Sequence, residues 1–554
     1  MSELDPISLG IYWDRLISIT DEIVSTLVRT SFSINVRESY DLSCVLFDAD
    51  GHPLAQGSYS VPSFTGTSGP TLQHMFKRFP PGTLEAGDVV ATNDPWMGTG
   101  HLFDISVMRP VFRNGRRVGF TMSITHLPDI GGAGNSAAST EVYEEGLRLP
   151  VCKLVKAGKL NEELIDLIRT NVRVSEQVIG DIMANISCNE VGGRLLVEFM
   201  DEYGINDLSP LSHLIRSRSE QIMREGLRKI PDGKFDNEIM IESIADPIRL
   251  ACQIDKHGDA VSVDFAGTDG CVRAALNVPF CYTRAWAAYA IKCLTCPETP
   301  NNEGQVRPLT ITAPANCILN ALPPHATGGR HSVGHFVVPL MFGALERAVP
   351  HAIQADMGMM NIFNVQGTHR QGHPVASLFF LAGGFGGKEG LDGSPTTPGP
   401  SNMGVVPTEV WESMTSISVL KRELLADSGG PGEFRGGVGQ EVVLRNDTDH
   451  HLTMSFMGLR TSYPARGFLG GRDGALRRYA INGKPAHPKG RYVLQPGDIV
   501  TLHEAGGGGF GDPANRSTSA VLDDVRNGFV TLNGALRDYG VTVDVVKRTA
   551  LRNS

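Results

Sequence analysis

The chain has 554 residues, 41% of them apolar and 20% charged, with a formal charge of −10. Such a length suits two to four domains, and the acidic balance argues against a nucleic-acid partner, which would want a basic face. No run of about eighteen apolar residues occurs, and MSELDPISLG at the start carries neither a basic nor an apolar leader segment, so a cytoplasmic protein with no membrane span is expected.

In chain order, residues 6–30 place apolar side chains at helical spacing behind Asp5, a candidate N-cap. SCVLFDADGHPLA then reads as strand, Asp-Gly turn and strand. Asp41 stands at its entrance, either as a capping carboxylate or as a ligand within reach of the stretch that follows. His74, on the helical pattern LQHMFKRF, is assigned to a packed face.

Residues 93–132 hold two echoing segments, GHLFDI and THLPDI, each a His followed three residues later by an Asp: His101 with Asp104, and His126 with Asp129. Between them ISVMRPVF and RRVGFTMSI are β-rich runs separated by Asn114-Gly115, a dipeptide suited to a tight hairpin turn. The hairpin folds the second segment beside the first. Two imidazoles with one or two carboxylates are a donor set for Mn²⁺, Zn²⁺ or Fe²⁺, and such an ion can polarise a carbonyl or activate water. The alternative is that each His and Asp caps a strand end; the doubling, with Asn93 and Asp94 nearby, raises the cation reading beside it.

Glu141, Glu144, Glu145 and Arg148 follow, either as a substrate rim or as a solvated face. Two helical patterns between residues 161 and 200 are interrupted at Asn189 and Gly192-Gly193, and another helix runs to Pro231-Asp232-Gly233. From about residue 235 short alternating strands dominate, with TRAWAAYAIKCLT as an inserted helix. His325, His331 and His335 precede an apolar helix. His331 and His335 have the one-turn spacing of a metal pair, but Ser332 occupies the place of a zincin's glutamate, so polar residues at a helix start are the favoured assignment, with pocket lining as the alternative.

The nine cysteines (44, 152, 188, 252, 271, 281, 293, 296 and 317) are odd in number and scattered, which suits reduced thiols; Cys293-x-x-Cys296 has no second pair and is assigned a structural role. Glycine, at 63 residues, concentrates late in the chain, where tight turns or close backbone approach are expected. Neither glycine-rich loop reads as a phosphate cradle. LAGGFGGKEG has Ala382 and Glu389 at positions a P-loop needs for Gly and Ser or Thr, and GGGGFG is cut off by Asp512-Pro513 where a dinucleotide helix would begin.

These patterns predict a mixed α+β, multi-domain chain. Residues 1–235 form a helix-rich α/β region carrying the β-hairpin metal site, 236–430 a β-rich region with inserted helices, and 431–554 a glycine-rich β region with a short helical tail.

GHLFDISV, THLPDIGG, STEVYEEGLRLP, DSGGPGEFRGGVGQ, LRTSYPARGFLGG, and LQPGDIV followed by GGGGFGDP resemble the hydantoinase B family, in order and over almost the whole chain. That family includes the B-type subunits of ATP-dependent hydantoinases and lactamases, the C-terminal half of 5-oxoprolinase, and acetone and acetophenone carboxylase subunits. The resemblance implies an A-type ATPase partner that binds ATP and Mg²⁺ and phosphorylates the substrate's carbonyl oxygen, with this chain supplying the metal site in a hetero-oligomer. It also implies a Mn or Zn ion on His101, Asp104 and His126, completed by Asp41 or Asp129, and catalysis centred on His101, Asp104, His126 and Asp129. Opening of a cyclic amide is the expected reaction. A ketone carboxylase subunit and a non-catalytic structural subunit are the alternatives.

Overall fold

Asp5 opens the first helix, Pro6–Thr30, accepting the N–H groups of Ile7 (3.0 Å) and Ser8 (3.1 Å), while Pro6 sits in the first turn, where its missing N–H costs nothing. The structure, a computed structural model, describes residues 5–64 and 66–552. Residues 1–4, part of the segment read as leaderless, lie outside the described residues. Trp13, Leu16, Ile19, Ile23 and Leu27 make the buried stripe of this helix, which packs on a second long helix, Ser175–Glu202.

That second helix corrects the expected interruption at Asn189 and Gly192-Gly193, because it runs unbroken through both. The Asn189 side chain donates to Ser123 Oγ (2.7 Å) and Val107 O (3.2 Å), so the residue bonds to the neighbouring sheet instead of ending the helix. At Gly192 a Cβ would stand 2.3 Å from Ile23 Cδ1, so the missing side chain lets the two helices close. The break lies earlier, between Glu162–Asn171 and Ser175.

The helix pair covers one face of a seven-stranded sheet built from β1 (Leu42–Asp48), β2 (Pro53–Gln56), β3 (Val89–Thr92), β4 (Asp104–Arg113), β5 (Arg116–His126), β6 (Cys152–Lys156) and β7 (Lys159–Leu160). Its order is β2-β1-β5-β4-β3-β6-β7, every pairing antiparallel. β4 and β5 join at Asn114-Gly115, both with positive φ (51° and 74°), the twist a two-residue hairpin needs. Alternation along β5 then sorts the side chains. Thr121, Ser123 and Thr125 meet Asn185 and Asn189 of the long helix, whereas Phe120, Met122 and Ile124 enter a core shared with Met360–Thr368, Pro374–Ala382 and Leu452–Phe456. His126, two residues past Ile124, continues that inner row.

The second half is mixed, with several further sheets. One has the order Leu309–Thr312, Ala260–Asp264, Ile248–His257, Gly233–Ile241, and the inserted helix forms at Phe280–Thr295, with Tyr282 and Trp286 in the core it shares with that sheet. The late glycines explain themselves by contact. Segments around Gly384, Gly437 and Gly507 run side by side, Gly384 N donating to Ala505 O (2.9 Å), Gly437 N to Phe385 O (2.7 Å) and Gly507 N to Gly437 O (2.9 Å). A Cβ on Gly384 would fall 1.7 Å from Gly437 O, the crowding that also demands glycine at the axis of a collagen triple helix. No helix among the described residues is long and apolar enough to cross a membrane.

Candidate metal centre

The hairpin register sets Asp104 directly opposite His126 at the open end of β4 and β5. His101 lies in the turn leading into β4 and reaches back along it, placing Nε2 2.8 Å from Asp104 Oδ1. The His101 and His126 rings stand 5.1 Å apart, and one ligand atom from each of His101, Asp104 and His126 lies within 4.8 Å of the others. All three side chains are buried.

Each is held by a partner that leaves a ligand atom over. His101 Nδ1 faces Gly328 O at 3.3 Å, and His126 Nδ1 meets the Asn35 carboxamide at 3.2 Å while Phe103 stacks on its ring. Asp104 Oδ2 accepts from Thr99 Oγ1 and from Arg330 Nη2 (2.7 Å), and Arg330 Nε donates to Thr99 O (2.7 Å) with its guanidinium 4.2 Å above the Tyr282 ring. His101 Nε2 and Asp104 Oδ1 face each other at 2.8 Å and, both buried, have no other polar partner. Two imidazole nitrogens and a carboxylate oxygen left over in one place fit a divalent cation.

Electrostatics keep the set in ligating form. Burial, then the His101 ring and Arg330, hold His126 down to about 3; burial and Arg330 likewise lower His101. Burial thus favours the neutral, ligating form of both rings. Burial works against the charge of Asp104, but His101 and Arg330 outweigh it and keep the carboxyl well below its usual range. Asp41 goes the other way: burial and the charge of Asp104 raise it well above the ordinary carboxylate value.

The two histidines of the triad border a cavity of ≈ 30 Å³, about the room one or two waters need. His101 and His126 line it with Asp41, Arg330, Asn135, His331 and His335, together with the apolar Val61, Met360, Ile362, Phe380 and Met403. Asp41 thus reaches the same chamber, its backbone carbonyl accepting from His126 N (3.2 Å), but its carboxylate lies outside the group of three. Asp129 is not among the lining residues. Its Oδ1 accepts from Arg173 Nη1 (2.7 Å) and Gly131 N (3.2 Å), and Oδ2 from Arg173 N, so the second His-x-x-Asp contributes its histidine and turns its aspartate outward to an arginine.

The histidines assigned to a helix start stand there, His331 opening a one-turn helix, His331–Gly334, with His335 just ahead of the apolar helix Val337–Leu345. Both are also buried and line the chamber, their rings 5.9 Å apart, with His335 wedged against Trp286 (5.1 Å). His325 is half-buried and not among the lining residues. The charged run also divides: Glu141, Glu144 and Arg148 are exposed, Arg148 pairing with Asp94, whereas Glu145 is buried. Asn93 braces the entering loop, donating to Leu102 O (2.7 Å) and accepting from Leu149 N (2.6 Å). Sequence reasoning does not find Arg330, Asn35, Thr99 or Gly328. Arg330 stands 226 residues from the Asp104 it pairs with, and its one local sign is its place ahead of His331 in GGRHSVGH.

A family model described as hydantoinase B/oxoprolinase matches residues 5–513. A protein of Pseudomonas sp. (strain NS671) named as the B-type component of a D-/L-hydantoinase is 28% identical over 572 residues, covering 98% of this chain and 96% of that one. The crystal structure of ATP-dependent caprolactamase from Pseudomonas jessenii superposes with a TM-score of 0.91 at 27% identity, covering 98% of this chain and 97% of that one. Nucleotide-free acetone carboxylase shares the fold, with a TM-score of 0.86 at 19% identity over 98% of this chain and 80% of the other.

Proposed function

The chain belongs to the hydantoinase B/oxoprolinase family, and from that premise we propose that it is the metal-bearing, B-type subunit of an ATP-dependent enzyme that opens a cyclic amide. The observation that carries the metal assignment is the buried pair His101 Nε2 and Asp104 Oδ1, which have no polar partner but each other, beside His126. His101, Asp104 and His126 would hold the ion, Zn or Mn by donor type, with Asp41 a further carboxylate lining the same chamber. A bound divalent ion supplies Lewis acidity and lowers the pKa of water at that point.

The remaining work falls to the chain's own residues. Thr99 and Arg330 keep Asp104 ionised and aimed, while Gly328 O and Asn35 fix the two imidazole planes. The apolar residues lining the chamber limit entry of bulk water at the metal position, and Asn135, His331 and His335 supply hydrogen-bonding groups beside it. An amide resists attack because resonance weakens its carbonyl as an electrophile; phosphorylation of the carbonyl oxygen gives an imidate-like centre with a good leaving group. We place that phosphorylation, with ATP and Mg²⁺, on an A-type partner. In support, the glycine-rich segments nearest to phosphate motifs already donate N–H groups to backbone carbonyls.

The test is a substrate screen. The chain, purified with its co-expressed ATPase partner, is given ATP and hydantoin, 5-oxoproline or ε-caprolactam, with and without bicarbonate. Ring-opened product from any of the three supports the proposal. Acetone and acetophenone are run beside them, and a bicarbonate-dependent carboxylate from a ketone, with no ring-opened product from any cyclic amide, would move the chain to the carboxylase branch and refute it.

A further inference from the structure

Glu145 is the buried member of the charged run, only 2% exposed, and it is not among the residues lining the chamber. Its Oε1 accepts two backbone N–H groups, from Thr327 (2.9 Å) and Gly328 (2.5 Å), and its Oε2 is buried without a partner. The turn so gripped carries two groups that act on the triad. Gly328 O faces His101 Nδ1, and two residues on, Arg330 bonds Asp104 and Thr99.

The other side of Glu145 is tied to the second metal-binding segment. Leu147 N donates to Ile130 O (2.8 Å) and Ala133 N to Glu144 O (3.0 Å), and a Cβ on Gly132 would stand 2.5 Å from the Glu145 carbonyl carbon, so residues 144–147 lie flat on the loop that leaves His126. Upstream, Val142 N donates to Pro324 O (2.8 Å), joining the same strip of chain to the start of the turn. Residues 142–147 therefore form a strap between the two loops that end at the triad, and Glu145 reaches from it into the turn at 327–328.

We propose that Glu145 is a positioning residue for the metal centre: by holding the Thr327 and Gly328 N–H groups it aims the Gly328 carbonyl at His101 Nδ1, which fixes the ring with Nε2 free for the ion. This rests on the metal reading of the triad but assigns a function to a residue outside it. A buried carboxyl with one oxygen accepting two N–H groups and the other bare is replaceable by a carboxamide, whose oxygen accepts the same two bonds. It is not replaceable by a methyl group, which leaves both N–H groups buried and unpaired. Loss of such an outer partner typically costs about 10–100-fold in metal affinity.

The test uses the full chain with its co-purified partner, stripped with chelator and titrated with Co²⁺, whose visible spectrum reports coordination. Glu145→Ala should bind Co²⁺ about 10–100-fold more weakly and with an altered spectrum, and Glu145→Gln should bind within about threefold of wild type with the wild-type spectrum. Gly328→Ala, whose Cβ would press on Glu145 Oε1 from 2.9 Å, should weaken binding in the same sense, and serves if the alanine variant at 145 does not fold. Wild-type affinity in both Glu145→Ala and Gly328→Ala, or equal losses in Glu145→Gln and Glu145→Ala, overturns the assignment while leaving the triad standing. Wild-type protein that takes up no Co²⁺ overturns the metal reading itself, and this inference with it.

Discussion

Acidification tests the buried imidazoles, and His335 gives the cleanest case because no triad residue is among its ring contacts. Burial first, and the Arg330 charge second, push it from 6.5 down to about 3. The unfolded chain therefore binds a proton below pH 6.5 that the folded chain refuses, and stability is lost as pH falls from 6.5 toward 3, with no contribution above 6.5. At pH 5 the loss is RT ln[(1 + 10^1.5)/(1 + 10^−2)], or about 2 kcal/mol from this one ring. His126, also held near 3, adds a similar amount in the same direction, so the metal-free chain should lose roughly 4 kcal/mol between pH 7 and 5 from the pair. Urea unfolding of chelator-treated protein across that range measures it. His335→Phe keeps an aromatic ring against Trp286 and removes the proton, so its stability should fall by about 2 kcal/mol less over the same interval. A variant whose pH dependence overlays the wild type would refute the burial argument.

Other substitutions separate the roles the structure divides. His101→Ala should abolish stoichiometric metal in elemental analysis, whereas Asp129→Asn should retain it, since that carboxylate is engaged by Arg173 away from the chamber; metal loss in both would restore Asp129 to the ligand set. Asp104→Ala should stop product formation but leave ATP hydrolysis by the partner within about threefold, and lost ATP cleavage with metal still bound would contradict the division of labour. Gly384→Ala meets a carbonyl oxygen at 1.7 Å and should yield insoluble chain, whereas Gly115→Ala, in open space at a positive φ, should cost only about 1–2 kcal/mol by thermal denaturation.

How much of this is readable in one dimension follows from how each feature is encoded. The first helix announces itself through Asp5, Pro6 and a 3.6-residue stripe, and the hairpin through Asn114-Gly115 between β-rich runs; both are local, and both form. His101, Asp104 and His126 are legible for the same reason, because one hairpin register brings them together. Asp129 shows where local logic stops. It repeats the spacing of Asp104, yet the chain leaves the sheet after His126, so the same His-x-x-Asp interval no longer folds back on the strand and the carboxylate meets Arg173. Asn189 and Gly192 mislead in the opposite way: their low helix propensity costs about 1 kcal/mol or less each, which the bonds to Ser123 and Val107 and the close approach of Ile23 offset. The groups that tune the triad, Arg330 and the Gly328 carbonyl, come from a turn more than two hundred residues away. No period or spacing can announce such a partner. Its only local trace is a polar residue that a satisfied helix start would not need to bury, and the pair His331 and His335 carries that trace.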